Sequence, residues 1–366
     1  MTEKRRQLAV LLLTGVLLFG LAAWNLLKPA DAVSDSERRP LAQPPELSLK
    51  AVLNGSYMTE FESASQDQFP LRDGFRRLRA WTLRGLLGQR DDHGIYLADG
   101  YAAKLDYPMN EASVNHAAER FTWIYEKYLR DNAGSIYFAP IPDKNYFLAA
   151  ENGYPSMDYT AFADAFREKM PYAQMIDLAP ALTLDCYYRT DIHWRQEALL
   201  DAAGLLAQSM GVTLTGEYET QELDTPFYGV YCGQSALPLR PDSLCYLDND
   251  ILRSCTVYDY ETDTELPVYD LAAAEGDDAY ALFLSGSKSL LTITNPQAGT
   301  QRELIVFRDS FASSLVPLLA EGYAKITLID IRYVSPARLG TWVDFSGKDV
   351  LFLYSTPVLN NSETIK

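Results

Sequence analysis

The chain has little histidine, little cysteine and a deficit of positive charge. It contains three histidines and four cysteines, and no two cysteines have the CxxC spacing of a zinc knuckle. Lysines and arginines total 32 against 49 aspartates and glutamates, so the formal net charge is −17. Because phosphate binding needs a basic surface, this charge argues against nucleic acid as a partner and against loose adsorption on anionic lipid.

A long apolar run lies close to the first residue. Residues 8–27 contain two polar side chains, Thr14 and Asn25, and about 20 residues of helix span the hydrocarbon core of a bilayer. Residues 4–6 are basic, so the positive-inside rule predicts a cytoplasmic N-terminus and an extracytoplasmic remainder. A signal peptide cleaved after Ala32 is the alternative, although its apolar region is usually only about 7–15 residues long.

The chain divides into four segments. Residues 1–7 are predicted as a cytoplasmic tail, 8–27 as a transmembrane anchor, 28–47 as a proline-containing linker, and 48–366 as one extracytoplasmic domain. The uncleaved chain is then a single-pass membrane protein, and the cleaved chain is secreted.

An exported protein can form disulfides. Three cysteines, Cys232, Cys245 and Cys255, lie within 24 residues, so one disulfide among them is expected. The sequence does not choose between the three full pairings that include Cys186.

Apolar periodicity predicts strands that alternate with helices. Helices are predicted over 69–87, 111–131, 158–170, 194–210 and 311–321, and strands over 135–139, 173–177, 304–307, 325–330 and 349–354. The first helix is amphipathic, with its arginines expected on the wet face, and Asp99-Gly100 predicts a tight hairpin. Pro140 to Lys144 is not expected to continue a central strand. The alternation predicts an α/β domain with a largely parallel sheet, and the β-rich residues 212–300 either insert into that domain or extend its sheet.

Ser310 follows Arg308-Asp309 at the end of an apolar strand and before a helix. The carboxyl end of a parallel strand borders the cleft of an α/β fold. Backbone N–H groups at the start of the next helix favour negative charge, including the oxyanion of acyl transfer. Ser310 is therefore a candidate nucleophile. Alternatively, Ser310 or Asp309 simply caps the helix.

Asp191-Ile192-His193 is the second chemical motif. In an extended segment residues i and i+2 point to the same side, so the Asp191 carboxylate can orient the His193 imidazole and stabilise its protonated form. His193 is then the best general base among the three histidines. The alternative is that Asp191 caps the following helix and His193 is a surface residue.

Other roles are open for residues near these motifs. Asp191 and His193 can bind a metal, and Cys186 can act as a nucleophile, but no second histidine and no activating group supports either. Basic and aromatic side chains near the motifs can bind an anionic or carbonyl-bearing substrate. The alternative is that the same residues form ordinary ion pairs or pack in the core. The candidate substrate-binding residues are Arg189, Trp194, Arg308, Arg332 and Lys144.

Together the motifs resemble the DHHW family, the Gram-positive relatives of the alginate O-acetyltransferase proteins, within the SGNH-hydrolase-like superfamily. The resemblance spans about residues 57 to 356, and it is carried by segments 67–72, 142–144, 188–194, 308–311 and 330–333. It implies an SGNH-hydrolase-like three-layer domain in which Ser310 is the nucleophile, His193 the base and Asp191 the orienting acid.

Two positions depart from the family pattern: Ile192 replaces a histidine, and Arg308 replaces the glycine usual before Asp-Ser. A side chain at position 308 is expected to narrow the cleft. Asn360 and Asn361 are weak candidates for the oxyanion-binding asparagine, and the Ser310 backbone N–H is the safest donor.

The resemblance implies a membrane-anchored O-acetyltransferase that acts on a cell-surface or secreted polysaccharide through an acyl-enzyme. Because acetyl-CoA is absent outside the cell, a multi-spanning membrane-bound O-acyltransferase is the implied acetyl donor. A carbohydrate acetyl esterase with the same triad and a non-catalytic polysaccharide-binding scaffold are the alternatives. No cofactor and no metal are expected.

Overall fold

A computed structural model describes residues 3–34, 36–214 and 216–366. These residues form two compact units, one of Met1–Asp92 with Cys232–Pro238 and one of His93–Tyr231 with Leu239–Lys366. Residues 1 and 2 of the predicted tail, Asp35 of the predicted linker and Thr215 lie outside the described residues. The start of the predicted domain at residue 48 stays a prediction.

The helices and strands alternate along most of the second unit. The α-helices are α1 (Glu3–Leu27), α2 (Leu49–Leu53), α3 (Ser56–Asp67), α4 (Arg72–Trp81), α5 (Glu111–Ile124), α6 (Asn145–Leu148), α7 (Tyr159–Lys169), α8 (Leu200–Ser209), α9 (Val230–Ser235), α10 (Asp250–Ser254), α11 (Ala312–Leu315) and α12 (Thr356–Asn360). The strands are β1 (Val33–Ser34), β2 (Arg39–Pro40), β3 (Asp91–Asp92), β4 (Ile95–Ala98), β5 (Tyr101–Lys104), β6 (Ile136–Ile141), β7 (Gln174–Met175), β8 (Glu219–Glu222), β9 (Cys245–Asp248), β10 (Thr256–Asp259), β11 (Thr264–Leu266), β12 (Leu290–Thr294), β13 (Glu303–Arg308), β14 (Lys325–Ile329) and β15 (Asp349–Ser355).

The second unit is built around an eight-stranded sheet with the order β11-β10-β12-β14-β13-β15-β6-β7. Strands β14, β13, β15, β6 and β7 pair in parallel, whereas β12, β10 and β11 add at one side in antiparallel pairs. The predicted α/β class with a largely parallel sheet is confirmed. The β-rich stretch extends this sheet through β10 to β12 and also forms a separate two-stranded sheet of β8 and β9.

Strand β13 shows why the sheet is buried on both faces. Leu304 and Val306 pack into one apolar cluster, which includes side chains of α8. Ile305 and Phe307 pack into the other, which includes side chains of α5 and α7. Since successive residues of a strand face opposite sides, one continuous apolar run supplies both cores of a three-layer domain.

The predicted hairpin at Asp99-Gly100 is confirmed as β4 and β5. Several other boundaries differ from expectation. The predicted helix over 311–321 is α-helical only as α11 and continues as a 3₁₀ helix over Val316–Gly322. Strand β6 continues through Pro140 to Ile141, where it pairs with β15. On its other edge β6 pairs with β7 only at Tyr137 and Phe138. Pro140 lies beyond that pairing, so its lack of an N–H removes no hydrogen bond to β7. Helix α8 begins at Leu200, after a 3₁₀ turn at Gln196–Ala198, and not at 194.

The first unit contains α1 and the amphipathic α4. By length and composition α1 can cross a membrane, and none of its apolar window is buried; a signal sequence near the N-terminus meets the same test. The expectation that the arginines of α4 lie on the wet face is confirmed for Arg77 and Arg79, which are exposed, and wrong for Arg72 and Arg76. Arg72 and Arg76 lie 2.5 and 3.1 Å from the Glu37 carboxylate with side chains only 18% and 20% exposed. The Glu37 carboxylate neutralises these two arginines and draws them inward.

All four cysteines lie in the described part of the chain, and none of Cys186, Cys245 and Cys255 is in a disulfide, so the expected disulfide is wrong. Cys245 lies in β9 and Cys255 follows α10. Both are buried in the second unit, and burial raises the pKa of each thiol to about 11. Both thiols are therefore protonated, and Cys255 packs in an apolar cluster of the second unit.

Candidate active site

The candidate nucleophile lies at the carboxyl edge of the sheet. Ser310 is the second residue after β13, at the turn that enters α11. Asp309 before it is fully buried and accepts hydrogen bonds from the Phe311 N–H (3.0 Å), the Ser355 N–H (2.7 Å) and the Ser355 hydroxyl (2.6 Å). Asp309 therefore binds the N–H at the helix entry and ties β13 to β15, which leaves the Ser310 hydroxyl available for another partner.

Asp191 and His193 lie together in a loop closed by an antiparallel bridge between Tyr187 and Trp194. The His193 Nδ1 lies 2.7 Å from the Asp191 Oδ1, and the His193 Nε2 lies 2.8 Å from the Ser310 Oγ. The structure thus brings the three predicted catalytic side chains into one hydrogen-bonded chain, although Ser310 is 117 residues from His193 in sequence.

The Asp191 carboxylate is only 2% exposed. Burial alone raises the pKa of Asp191, but hydrogen bonds and the charge attraction of His193 outweigh burial and hold that pKa well below its usual range. The backbone N–H groups of His193 (3.0 Å) and Val230 (2.8 Å) donate to its two oxygens. Asp191 is therefore an anion placed to orient the imidazole and to stabilise its protonated form.

The backbone around Asp191 is also fixed. The buried Lys144 ammonium donates to the carbonyls of Asp191 (2.7 Å) and Tyr188 (3.0 Å), and to that of Ala102. The Asp242 carboxylate accepts the Thr190 N–H (2.8 Å) and hydroxyl (2.6 Å). These bonds determine where the Asp191 side chain points. Sequence reasoning missed the positioning role of Asp242, because Asp242 lies 52 residues from Thr190.

Gly229 closes the loop from the other side. Its N–H donates to the Thr190 hydroxyl (2.9 Å). A Cβ at this position would lie 2.4 Å from the carbonyl carbon and oxygen of Thr190 and 2.5 Å from the Asp191 Cα. Only a residue without a side chain allows this close approach.

An aromatic face supports the imidazole. The Tyr280 ring stacks on His193 with centroids 3.9 Å apart and planes 8° apart. The Tyr280 hydroxyl lies 2.8 Å from the Ser314 hydroxyl, which also accepts the Trp194 Nε1–H at 2.9 Å. No spacing pattern in the sequence signals Tyr280, since only the fold brings it to His193.

The five candidate substrate-binding residues occupy different environments. Arg189 is exposed, whereas Trp194, Arg308 and Lys144 are at most 2% exposed, and the Arg332 side chain is 16% exposed in a bidentate pair with Asp330.

Arg308 does not narrow the cleft in the way expected of a side chain at that turn. Its guanidinium donates to the Ser313 hydroxyl (3.0 Å) and the Lys288 carbonyl (3.1 Å), and burial lowers its pKa. These contacts, like those of Trp194 and Lys144, are contacts to the protein interior.

The remaining candidates lie elsewhere in the second unit. The Asn360 and Asn361 amides donate to Asp106 at 2.8 and 3.2 Å, so they hold that carboxylate. The Cys186 thiol is buried and donates to the Ala198 carbonyl at 3.4 Å. Within the described residues, no group of three or more histidines, cysteines, aspartates and glutamates is arranged to hold a metal ion.

Solved structures similar to this chain include a DHHW family protein from Eubacterium siraeum DSM 15702. It is 21% identical, with a TM-score of 0.61, and the match covers 75% of this chain and 95% of that one. The chain has a DHHW-like fold. The resemblance expected from the sequence and the SGNH-hydrolase-like fold are confirmed.

Two further solved structures match over most of their length. Bacillus cereus PatB1 is 20% identical with a TM-score of 0.58, and the match covers 74% of this chain and 98% of PatB1. The O-acetyltransferase domain of Pseudomonas putida AlgJ is 14% identical with a TM-score of 0.44, over 73% of this chain and 92% of that domain. No protein-family model and no curated protein matches the chain.

Proposed function

We propose that this chain is an extracytoplasmic O-acetyltransferase that transfers acetyl groups to hydroxyls of a polysaccharide. The observation that carries the proposal is the hydrogen-bonded chain from the Asp191 carboxylate through His193 to the Ser310 hydroxyl, with heavy-atom distances of 2.7 and 2.8 Å. These distances are within reach for proton transfer. The acceptor class follows from the family resemblance of the sequence motifs.

In the first half-reaction the Ser310 Oγ attacks the acetyl carbonyl carbon while the His193 Nε2 takes the hydroxyl proton. The resulting imidazolium is stabilised by the buried Asp191 anion. Collapse of the tetrahedral intermediate breaks the bond to the donor's leaving group, which receives the proton from His193. The product is an acetyl ester on Ser310.

In the second half-reaction a sugar hydroxyl gives its proton to His193 and attacks the acetyl-serine. Collapse of the second tetrahedral intermediate breaks its bond to the Ser310 Oγ and forms the sugar ester, and His193 returns the proton to Ser310. The Ser310 backbone N–H, at the turn between β13 and α11, is the proposed donor to the oxyanion in both steps. Tyr280 and Asp191 hold the imidazole so that it serves both steps without reorienting.

The proposed setting is the outer face of a membrane, with α1 as the anchor and a multi-spanning membrane-bound O-acyltransferase as the acetyl donor. Helix α1 has the length and composition for this role. Delivery from a membrane partner suits a soluble unit that carries the acyl-accepting serine beside the bilayer.

One of the similar structures, Bacillus cereus PatB1, was solved with a sulfonyl adduct. Sulfonyl fluorides modify activated nucleophiles, and the Ser310 hydroxyl bonded to His193 has that arrangement. We expect phenylmethylsulfonyl fluoride to label Ser310 in this chain.

The experiment uses the full-length protein in detergent with an activated aryl acetate, and it compares wild type with Ser310→Ala, His193→Ala and Ser362→Ala. Ser362 is a buried serine of the same unit that bonds to Ser113 and lies in another part of the sequence. We expect turnover and mass-spectrometric acetyl and sulfonyl adducts on Ser310, with turnover lost in the first two variants and kept in the third.

Addition of oligosaccharides to the same reaction distinguishes the acceptor. Acetylated sugar supports the transferase, whereas release of acetate alone in the presence of sugars identifies an esterase. A folded wild-type protein with neither turnover nor an adduct, and with equal glycan binding in wild type and Ser310→Ala, refutes both and identifies a scaffold.

A further inference from the structure

The first unit exposes an unusually dense set of large apolar side chains. Each member is at least 39% exposed, and the set is called the apolar face below. It consists of Leu47, Leu49, Val52, Leu53, Met58, Phe61, Leu71, Phe75, Leu78, Trp81, Leu86 and Leu87. Single exposed apolar residues are ordinary on protein surfaces, whereas twelve within residues 47–87 are a concentration of the kind that marks an interaction surface.

Helix α4 presents this face because it is oriented opposite to a typical surface helix. Its small Ala80 is buried, and Arg72 and Arg76 pair inward with Glu37. Arg79 pairs with Asp92 at 2.6 Å and stays 51% exposed.

Its large residues point to solvent, with Phe75 45%, Leu78 57% and Trp81 64% exposed. The hydrophobic side of α4 is therefore available for something outside the first unit.

The same unit contains α1, and contacts of Asn25 and Asp31 tie the end of α1 and the residues after it to the end of α3. The Asn25 amide lies 3.5 Å from the Ser65 carbonyl of α3. The Gln68 side chain bonds to both the N–H (2.8 Å) and the carbonyl (2.9 Å) of Asp31. Gln68 precedes the first residue of α4 by four positions, so the apolar face begins close to the end of the membrane-span-length helix.

We propose that the apolar face lies in the membrane–water interface, next to the point where α1 leaves the bilayer. The proposal rests on α1 as an anchor and not on the acyl-transfer activity. An interfacial helix needs Trp, Phe and Leu on one side and basic residues on the other. Helix α4 and the turn Thr82–Leu86 supply these with five arginines against one aspartate, although the whole chain is acidic.

A bilayer fits the apolar face better than a protein partner does. Trp81 and Phe75 are the amphipathic and aromatic residues typical of the interface, and Arg77 on the flank is exposed for contact with headgroup phosphates. If α1 is inserted, it holds the apolar face close to the bilayer, and a protein partner would have to bind in that space. Contact with lipid therefore follows from continuity with α1, and a protein partner is the competing outcome of the test.

The test uses full-length protein in phosphatidylcholine vesicles that contain bromine on acyl-chain carbons 6 and 7. The fluorescence of wild type minus that of Trp81→Phe gives the contribution of Trp81. The same subtraction with Trp123→Phe gives the contribution of Trp123, which is the matched control. Trp123 lies in the second unit and is 39% exposed. Trp24→Phe isolates the half-exposed Trp24 of α1 as the membrane-embedded reference.

We expect the Trp81 contribution to be quenched by bromolipid and shielded from aqueous iodide, as for Trp24, whereas Trp123 shows the reverse. A Leu78→Glu variant, which places a charge on the apolar face, is expected to lose bromolipid quenching of Trp81 while α1 stays inserted. Iodide quenching of Trp81 without bromolipid quenching overturns the proposal. Shielding from both quenchers also overturns it, because a protein surface then covers the face.

Discussion

Gly229→Ala tests whether the Asp191 loop must hold its observed position. The added Cβ would lie 2.4 Å from the Thr190 carbonyl carbon and oxygen and 2.5 Å from the Asp191 Cα. Since ordinary contacts begin at about 3.4 Å, the loop and Gly229 must separate by about 1 Å. A displacement of about 1 Å in a catalytic group can cost roughly 100-fold in rate. We expect kcat for aryl acetate to fall by about that factor.

The matched control is Gly204→Ala. Gly204 lies in α8, and an added Cβ there would have no atom within 4 Å in the described structure. Its kcat should be unchanged, and its free energy of unfolding should rise by roughly 1 kcal/mol because alanine is the better helix former.

The assay measures kcat together with a thermal melt for each variant, so that loss of folding is separated from loss of alignment. The Gly229→Ala protein should remain folded, destabilised by about 1–3 kcal/mol as in other overpacked sites. If folded Gly229→Ala keeps kcat within a factor of about two, the assumed rigidity of the loop is wrong.

Two further predictions concern buried charges. Lys144→Met leaves three carbonyls, including that of Asp191, without their ammonium donor. We expect the free energy of unfolding in urea to fall by at least about 3 kcal/mol and kcat to fall as well. An unchanged kcat in the folded variant would contradict a positioning role for Lys144. Burial raises the pKa of Asp143 to about 6, so as the pH falls from 7 the folded protein binds a proton before the unfolded chain does. Relative to Asp143→Asn, wild type should therefore gain about 2 kcal/mol of unfolding free energy between pH 7 and pH 4. Parallel pH profiles of the two proteins would contradict this.

The architecture was largely predictable because its strands carry their own signal. The run 304–307 is apolar at every position, so it had to be covered on both faces, and its Asp-Ser end could lie only at the carboxyl edge. The proximity of Asp191 and His193 was predicted from their i, i+2 spacing in an extended segment, but the structure achieves it in a bent loop where the His193 N–H also donates to the Asp191 carboxylate. Neither signal depends on the rest of the chain.

The supporting residues were not predictable, because tertiary contacts alone define them. Tyr280 stacks on His193 from 87 positions away, and Asp242 reaches Thr190 from 52 positions away. Periodicity identified the two faces of α4 but not which one points inward; the ion pairs with Glu37 decided that. The prediction of a disulfide was wrong for the same reason, because cysteines that are close in sequence lie in different structural elements.

The proposed acid Asp191 and base His193 share one loop, whereas the proposed nucleophile Ser310 is 117 residues further along the chain than His193. A nascent or refolding chain can therefore form the Asp191–His193 pair long before Ser310 is in place. Because closing such a long-range contact is slow compared with local structure, esterase-type activity should return after tyrosine and tryptophan fluorescence has recovered. Turnover thus reports when β13 has joined its neighbours, and two fragments divided between Asp248 and β10 would each be inert until they associate.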